Sequence, residues 1–234
     1  MRVRHFFLSL VFCALAHTAT AAACAPPGAT TGGTDGCEVA YVGDDVTTGA
    51  VEYVIPAARK LAVPAPLDLK EQSALDEQSY GDVYAILKDE NSCSRFFGGP
   101  PQAVEAFNEL ARRFKRKPLR DRAVGVRMSG TFVTYRNHQT GATYRLFQEA
   151  TVNSEGPLFK QYALPNERKQ SRIGSFQSAT RQGRALMFLH ELGHVVARED
   201  GEWVLPNDGD NYVQSERNTR RVEEICSDQL TAIE

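Results

Sequence analysis

Leu186-Met-Phe-Leu-His-Glu-Leu-Gly-His-Val-Val196 is the stretch that decides how the rest of the chain is read. It contains the pattern His-Glu-x-x-His. Residues four apart on a helix share one face, so His190 and His194 stand one turn apart and can hold a metal from two directions. Glu191 lies one position round the helix, close to such a metal but free to work as a base. The flanking residues are apolar and uncharged, which suits a helix buried in a core. The remainder of the chain has to supply a third ligand and a cleft.

Length and composition set the frame. At 234 residues, with 42% hydrophobic and 24% charged, the chain is long enough for one principal globular core. A formal net charge of −2 gives no nucleic-acid footprint. The basic run at residues 112–122 reads as a solvated helix end. The N-terminus has the layout of a secretory signal peptide: a positive start (Met-Arg-Val-Arg-His), an apolar run at residues 6–16, and small residues at 19–23 for cleavage. That run is too short to span a bilayer. The expectation is an exported protein, periplasmic or extracellular, with no transmembrane segment in the mature chain. Cleavage after Ala23 would expose Cys24, so lipoprotein anchoring there is a secondary alternative.

Export changes the arithmetic of the cysteines and histidines. The signal removes Cys13, His5 and His17, leaving Cys24, Cys37, Cys93 and Cys226 with His138, His190 and His194. Four cysteines in an oxidising compartment point to two disulfides. The favoured pairing is Cys24 with Cys37, closing a local loop, and Cys93 with Cys226, tying the C-terminal segment to the middle of the chain. No Cys-x-x-Cys pair offers a thiolate metal site.

Residues 24–80 read as a linker or N-terminal extension with a small hairpin, because Pro, Gly and Thr punctuate residues 25–36 and only short Val/Tyr runs follow. Residues 81–234 form the expected catalytic domain. Within them residues 82–88 are ambiguous between strand and helix. Pro100 opens a helix with Ala103, Val104, Phe107, Leu110, Ala111 and Phe114 at three- and four-residue spacing, and Pro118 closes it. Strands are expected at 123–128, 131–136 and 142–149, the last two joined by a hairpin turn that contains His138, with another near 152–162. The His-Glu-x-x-His helix should run over about 180–198, with Ser178 or Thr180 as its cap, and a C-terminal helix over 215–233. This order gives an α+β fold: a small antiparallel sheet packed on the histidine helix and a C-terminal helix.

A catalytic zinc site needs three protein ligands and an open position. His138 is the only other mature histidine, so a carboxylate is the better third ligand. Asp200 stands ten positions after His190, where metzincins place a third ligand, but Ala197 replaces their turning glycine and no methionine follows. Asp208 or Asp210 would approach from the loop after Trp203. The segment Glu224-Ile-Cys-Ser-Asp228 resembles the Glu-x-x-x-Asp signature of gluzincins, the thermolysin-like zinc peptidases, and Glu223 competes with Glu224 beside it.

The resemblance covers residues 186–228. It implies a compact zincin fold holding Zn2+ through His190, His194 and Glu224, with Asp228 orienting His190 from behind. It also implies peptide-bond hydrolysis by a metal-activated water, with Glu191 as general base. Tyr212, Arg217, Arg220 and His138 are candidate oxyanion donors, and an edge strand at 144–152 would pair with an extended peptide substrate. The alternatives are a catalytically inactive zincin-like domain with a binding or envelope-structural role, and a zinc amidase acting on cell-wall peptides.

Overall fold

Five helices and a small sheet arise where the sequence offers caps and periodic apolar residues. The computed structural model describes residues 62–69, 75–161, 171–209 and 211–234, and the backbone of 41–42. The signal peptide, Cys24, Cys37, the proposed N-terminal hairpin apart from residues 41–42, and Asp210 lie outside the described residues.

The ambiguous stretch after residue 81 is helical. Helix α1 (Glu77–Lys88) starts at Asp76, whose carboxylate accepts from the Ser79 amide at 2.8 Å. Tyr80, Val83 and Leu87 then fall on one buried face. Helix α2 (Ser92–Phe96) is a short turn closed by a capping box from Asn91 and Ser94. Helix α3 (Pro100–Arg113) begins at its proline, as its fixed φ favours. It buries Ala103, Val104, Phe107, Leu110 and Ala111 as expected from spacing, but it ends at Arg113, and Phe114 and the basic residues after it form a strand rather than the end of the helix.

The sheet has the order β1-β3-β4-β2, in which β1 is Tyr41–Val42, β2 Phe114–Lys117, β3 Val126–Arg136 and β4 Thr143–Asn153. β3 and β4 form the expected hairpin, with Val126 opposite Val152 and Arg136 opposite Thr143. The two strands expected at 123–128 and 131–136 are one strand with a bulge between Ser129 and Phe132, where Gly130 takes φ +83°. β2 runs parallel to β4, so β4 is central and cannot be the substrate-pairing edge. A two-residue ribbon, β5 (Arg172–Ile173) with β6 (Phe176–Gln177), leads to Thr180.

Thr180 caps helix α4 (Arg181–Val195), its hydroxyl accepting from the Gly183 amide. Ala185, Leu186, Phe188, Leu189 and Leu192 are buried against the sheet and α1. Helix α5 (Tyr212–Thr231) follows, capped by Asn211. Its Val222, Cys226 and Leu230 face the core, and Cys226 is bonded to Cys93 of α2, the favoured pairing for these two. The architecture is α+β. Among the described residues no helix is long and apolar enough to cross a membrane.

Residues 62–69 lie against α1 and α3. The Tyr80 hydroxyl accepts from the Leu67 amide and donates to Asn108 Oδ1 at 2.6 Å, and Asn108 Nδ2 donates to the Ala65 carbonyl. The end of the N-terminal extension is therefore part of the same packed body.

Candidate metal centre

His190 and His194 project from one face of α4, as residues four apart must. Their Nε2 atoms stand 3.0 Å apart. The carboxylate that meets them is Asp208: its Oδ2 is 3.1 Å from His190 Nε2 and 3.3 Å from His194 Nε2. These three are the one group of metal-ligating side chains that converges among the described residues.

The chain after α4 places Asp208 by folding back on the helix. Ala197 bridges to Trp203, the Val204 amide donates to the Val196 carbonyl, and the Leu205 amide donates to the Gly193 carbonyl at 2.8 Å. Gly193, inside the motif, permits this approach, because a Cβ there would lie 2.5 Å from Leu205 Cγ. From α5, Asn218 Nδ2 donates to the Pro206 carbonyl at 3.0 Å and reaches Asp208 Oδ2 at 3.4 Å, while Gln214 donates to Asn218 Oδ1. The loop carrying Asp208 is thus clamped between α4 and α5.

The other side of His190 is fixed as well. Thr219 Oγ1 donates to the Ser215 carbonyl and lies 3.0 Å from His190 Nδ1. With its own proton spent on Ser215, the hydroxyl accepts from Nδ1–H. In the neutral ring that assignment leaves His190 Nε2 as a bare lone pair facing the Asp208 carboxylate, so either a proton or a cation has to stand between them. His194 Nδ1 is buried without a hydrogen-bond partner. That ring is held through its backbone, where Arg145 Nε donates to the His194 carbonyl at 2.7 Å. The Arg145 guanidinium is buried against Trp203, 4.1 Å from the ring centroid, and burial pulls its pKa down to about 10.

The donor set fits a tetrahedral dication. Ligands at about 2.0–2.1 Å from such an ion stand about 3.3 Å from one another, close to the three separations observed. Two imidazoles and one carboxylate suit zinc, which takes nitrogen and oxygen donors without demanding an octahedral shell. Burial raises the Asp208 pKa and the histidine hydrogen bonds lower it; the second effect wins and holds the carboxyl well below its usual range. Burial likewise opposes the charged form of His194, but Asp208 and Glu191 outweigh it and raise that pKa.

Glu191 is buried beside the triad, and burial raises its carboxyl pKa against the pull of the two histidines. It lines a cavity of 310 Å³ with His190, Asp208, Met187 and Tyr212. A second cavity of 480 Å³ lies on the His194 side, walled by Phe147, Met128 and Asn207. The N-terminal half of β3 borders both. Among the described residues β1 pairs with β3 at Val133 and Thr134 alone.

Other candidates lie elsewhere. Glu224 and Asp228 are on exposed faces of α5, and Asp228 has Ser227 as its side-chain neighbour. Neither joins the converging group, and the place expected of Asp228 behind His190 belongs to Thr219. Glu223 accepts from the Ser175 amide. Asp200 is exposed, bonded to the Glu202 amide and paired with Arg198. His138 is exposed in its turn. Of the oxyanion candidates only Tyr212 lines the cavity at Glu191; Arg217 is exposed and Arg220 pairs with Glu216. Thr219, Asn218 and Arg145 carried no motif by which sequence could single them out.

No protein-family model, curated protein or solved structure matches the chain.

Proposed function

We propose that the chain is an exported zinc-dependent peptidase whose ligands are His190, His194 and Asp208 and whose general base is Glu191. The convergence of three ligand atoms within 3.0–3.3 Å beside a buried glutamate that opens into a cavity carries this reading. A zinc ion held there would polarise a carbonyl and bring the pKa of a water to about 7.

Glu191 does the proton work. Its raised pKa lets the carboxyl accept the proton of the attacking water and return it to the leaving amine near neutral pH. Thr219 keeps His190 in the tautomer whose Nε2 is free to ligate. The N-terminal half of β3 runs past both cavities and would offer backbone groups to an extended peptide. The disulfide between Cys93 and Cys226 supports an oxidising destination.

The test is elemental analysis of the purified protein together with mass spectrometry of a peptide mixture. One zinc per chain, with cleavage abolished by Glu191→Gln while the zinc remains, is the expected result. Bound zinc with no cleavage of any peptide would favour a zincin-like binding or structural domain instead. Loss of cleavage in Glu224→Ala, but not in Asp208→Ala, would overturn the ligand assignment.

A further inference from the structure

The two cavities flanking the triad are lined by apolar, polar and acidic groups, and by one cationic side chain common to both, Arg127. Arg127 sits on β3 ahead of the bulge, opposite Thr151 of β4. Strand alternation places Thr151 on the same face as Phe147 and Arg145. That face is turned toward the end of α4, because Phe147 walls the cavity at His194 and Arg145 bonds the His194 carbonyl.

Three other arginines of this region are occupied. Arg145 is held by His194 and Trp203, Arg113 donates to the Tyr135 hydroxyl, and Arg116 lies 3.8 Å from the centroid of the Phe159 ring. Arg127 has no hydrogen bond or ion pair with any described group, although Glu149 is exposed on the same face. A guanidinium presents a planar fork that matches a carboxylate.

We infer that Arg127 determines specificity by binding a substrate carboxylate, so that the preferred peptides carry an acidic side chain or their own C-terminal carboxylate on the His194 side of the cut bond. The inference rests on the peptidase reading for the word substrate, but the contact itself does not require turnover. Arg127 borders both cavities beside the triad, so a peptide lying across the two histidines presents a side chain or its C-terminus to the guanidinium. An acidic residue gains a charge-assisted bond there, while a lysine meets like charge.

The experiment uses one peptide scanned with Glu, Gln or Lys at each position, each with a free or an amidated C-terminus. Binding is measured by calorimetry on zinc-loaded Glu191→Gln protein, and cleavage by mass spectrometry on protein with Glu191 intact. A carboxylate at the favoured position should tighten binding about tenfold over its neutral counterpart. Arg127→Gln should abolish the difference, and Arg127→Glu should shift the preference to lysine, with zinc content unchanged. Whether the Glu side chain or the free C-terminus carries the effect identifies the source of the carboxylate. Equal binding of acidic and neutral peptides, binding of none, or discrimination that survives Arg127→Gln overturns the inference. Discriminating binding without cleavage supports it and overturns the peptidase reading.

Discussion

Asp208 meets the two imidazoles while three other carboxylates with better sequence credentials do not, and helix geometry explains part of that outcome. On α5 the core face is set by Val222, Cys226 and Leu230, with Thr219 reaching His190 from the same side. At 100° per residue, Glu224 lies about 140° round from Thr219 and Asp228 about 180°, so both point away. Asp208→Ala should therefore release the metal, measured by elemental analysis, whereas Glu224→Ala should keep it. Thr219→Val removes the acceptor that fixes the His190 tautomer and should weaken zinc binding about 10- to 100-fold in a chelator competition, with the fold intact by circular dichroism. Glu191→Gln should lower turnover about a hundredfold to ten-thousandfold, because it removes proton transfer alone. The two histidines and Glu191 were legible because ligand spacing and helix period coincide. Asp208 was legible only as one of several loop carboxylates, since its position depends on the Leu205–Gly193 contact, which leaves no periodic trace.

Helix α5 contributes three things at once: Thr219 behind His190, Asn218 under the Asp208 loop, and Cys226 bonded to α2. Thr219 and Cys226 are seven residues apart, two helical turns, so the disulfide and the contact to His190 lie along one stripe. Ser92 adds a hydroxyl bond to the Ile225 carbonyl at 2.8 Å close by. The disulfide spans 133 residues of sequence and is buried at both ends. Replacing Cys93 and Cys226 together by serine should cost roughly 2–5 kcal/mol in denaturant unfolding. The same variant should bind zinc more weakly, because the stripe that braces His190 loses its anchor. Serine variants that lose stability yet bind zinc unchanged would show that α5 is held in register by packing alone. The bond was legible because removal of a signal peptide would leave few partners for Cys93. β3, by contrast, was expected as two strands at 123–128 and 131–136; Gly130, between them, accommodates a bulge within one continuous strand.

For the molecule as a whole, a metal held by the proposed triad would compete with protons for the same side chains, and the sign of the pH dependence follows. Without metal, His194 has a raised pKa because of Asp208 and Glu191, so its contribution to stability is full below the ordinary imidazole value and is lost as pH rises through the raised one. Asp208 has a depressed pKa, so its contribution is full above the ordinary carboxylate value and is lost as pH falls toward the depressed one. The metal-free protein should accordingly gain most from the pair on the acid side of neutrality and lose that gain as pH rises through the His194 transition. Zinc bound as proposed would reverse the trend at the high end, since it requires unprotonated imidazoles and would stabilise in proportion to its occupancy of the folded state, by about 4 kcal/mol at a free concentration a thousandfold above Kd. The difference in Tm between zinc-loaded and metal-free protein should widen as pH is raised from 5.5 to about 8. A difference that stays constant or narrows over that range would mean that the protons of His194 and the metal do not share one site. Asp208→Asn, which keeps the shape of the loop but removes the charge, should flatten both dependences together.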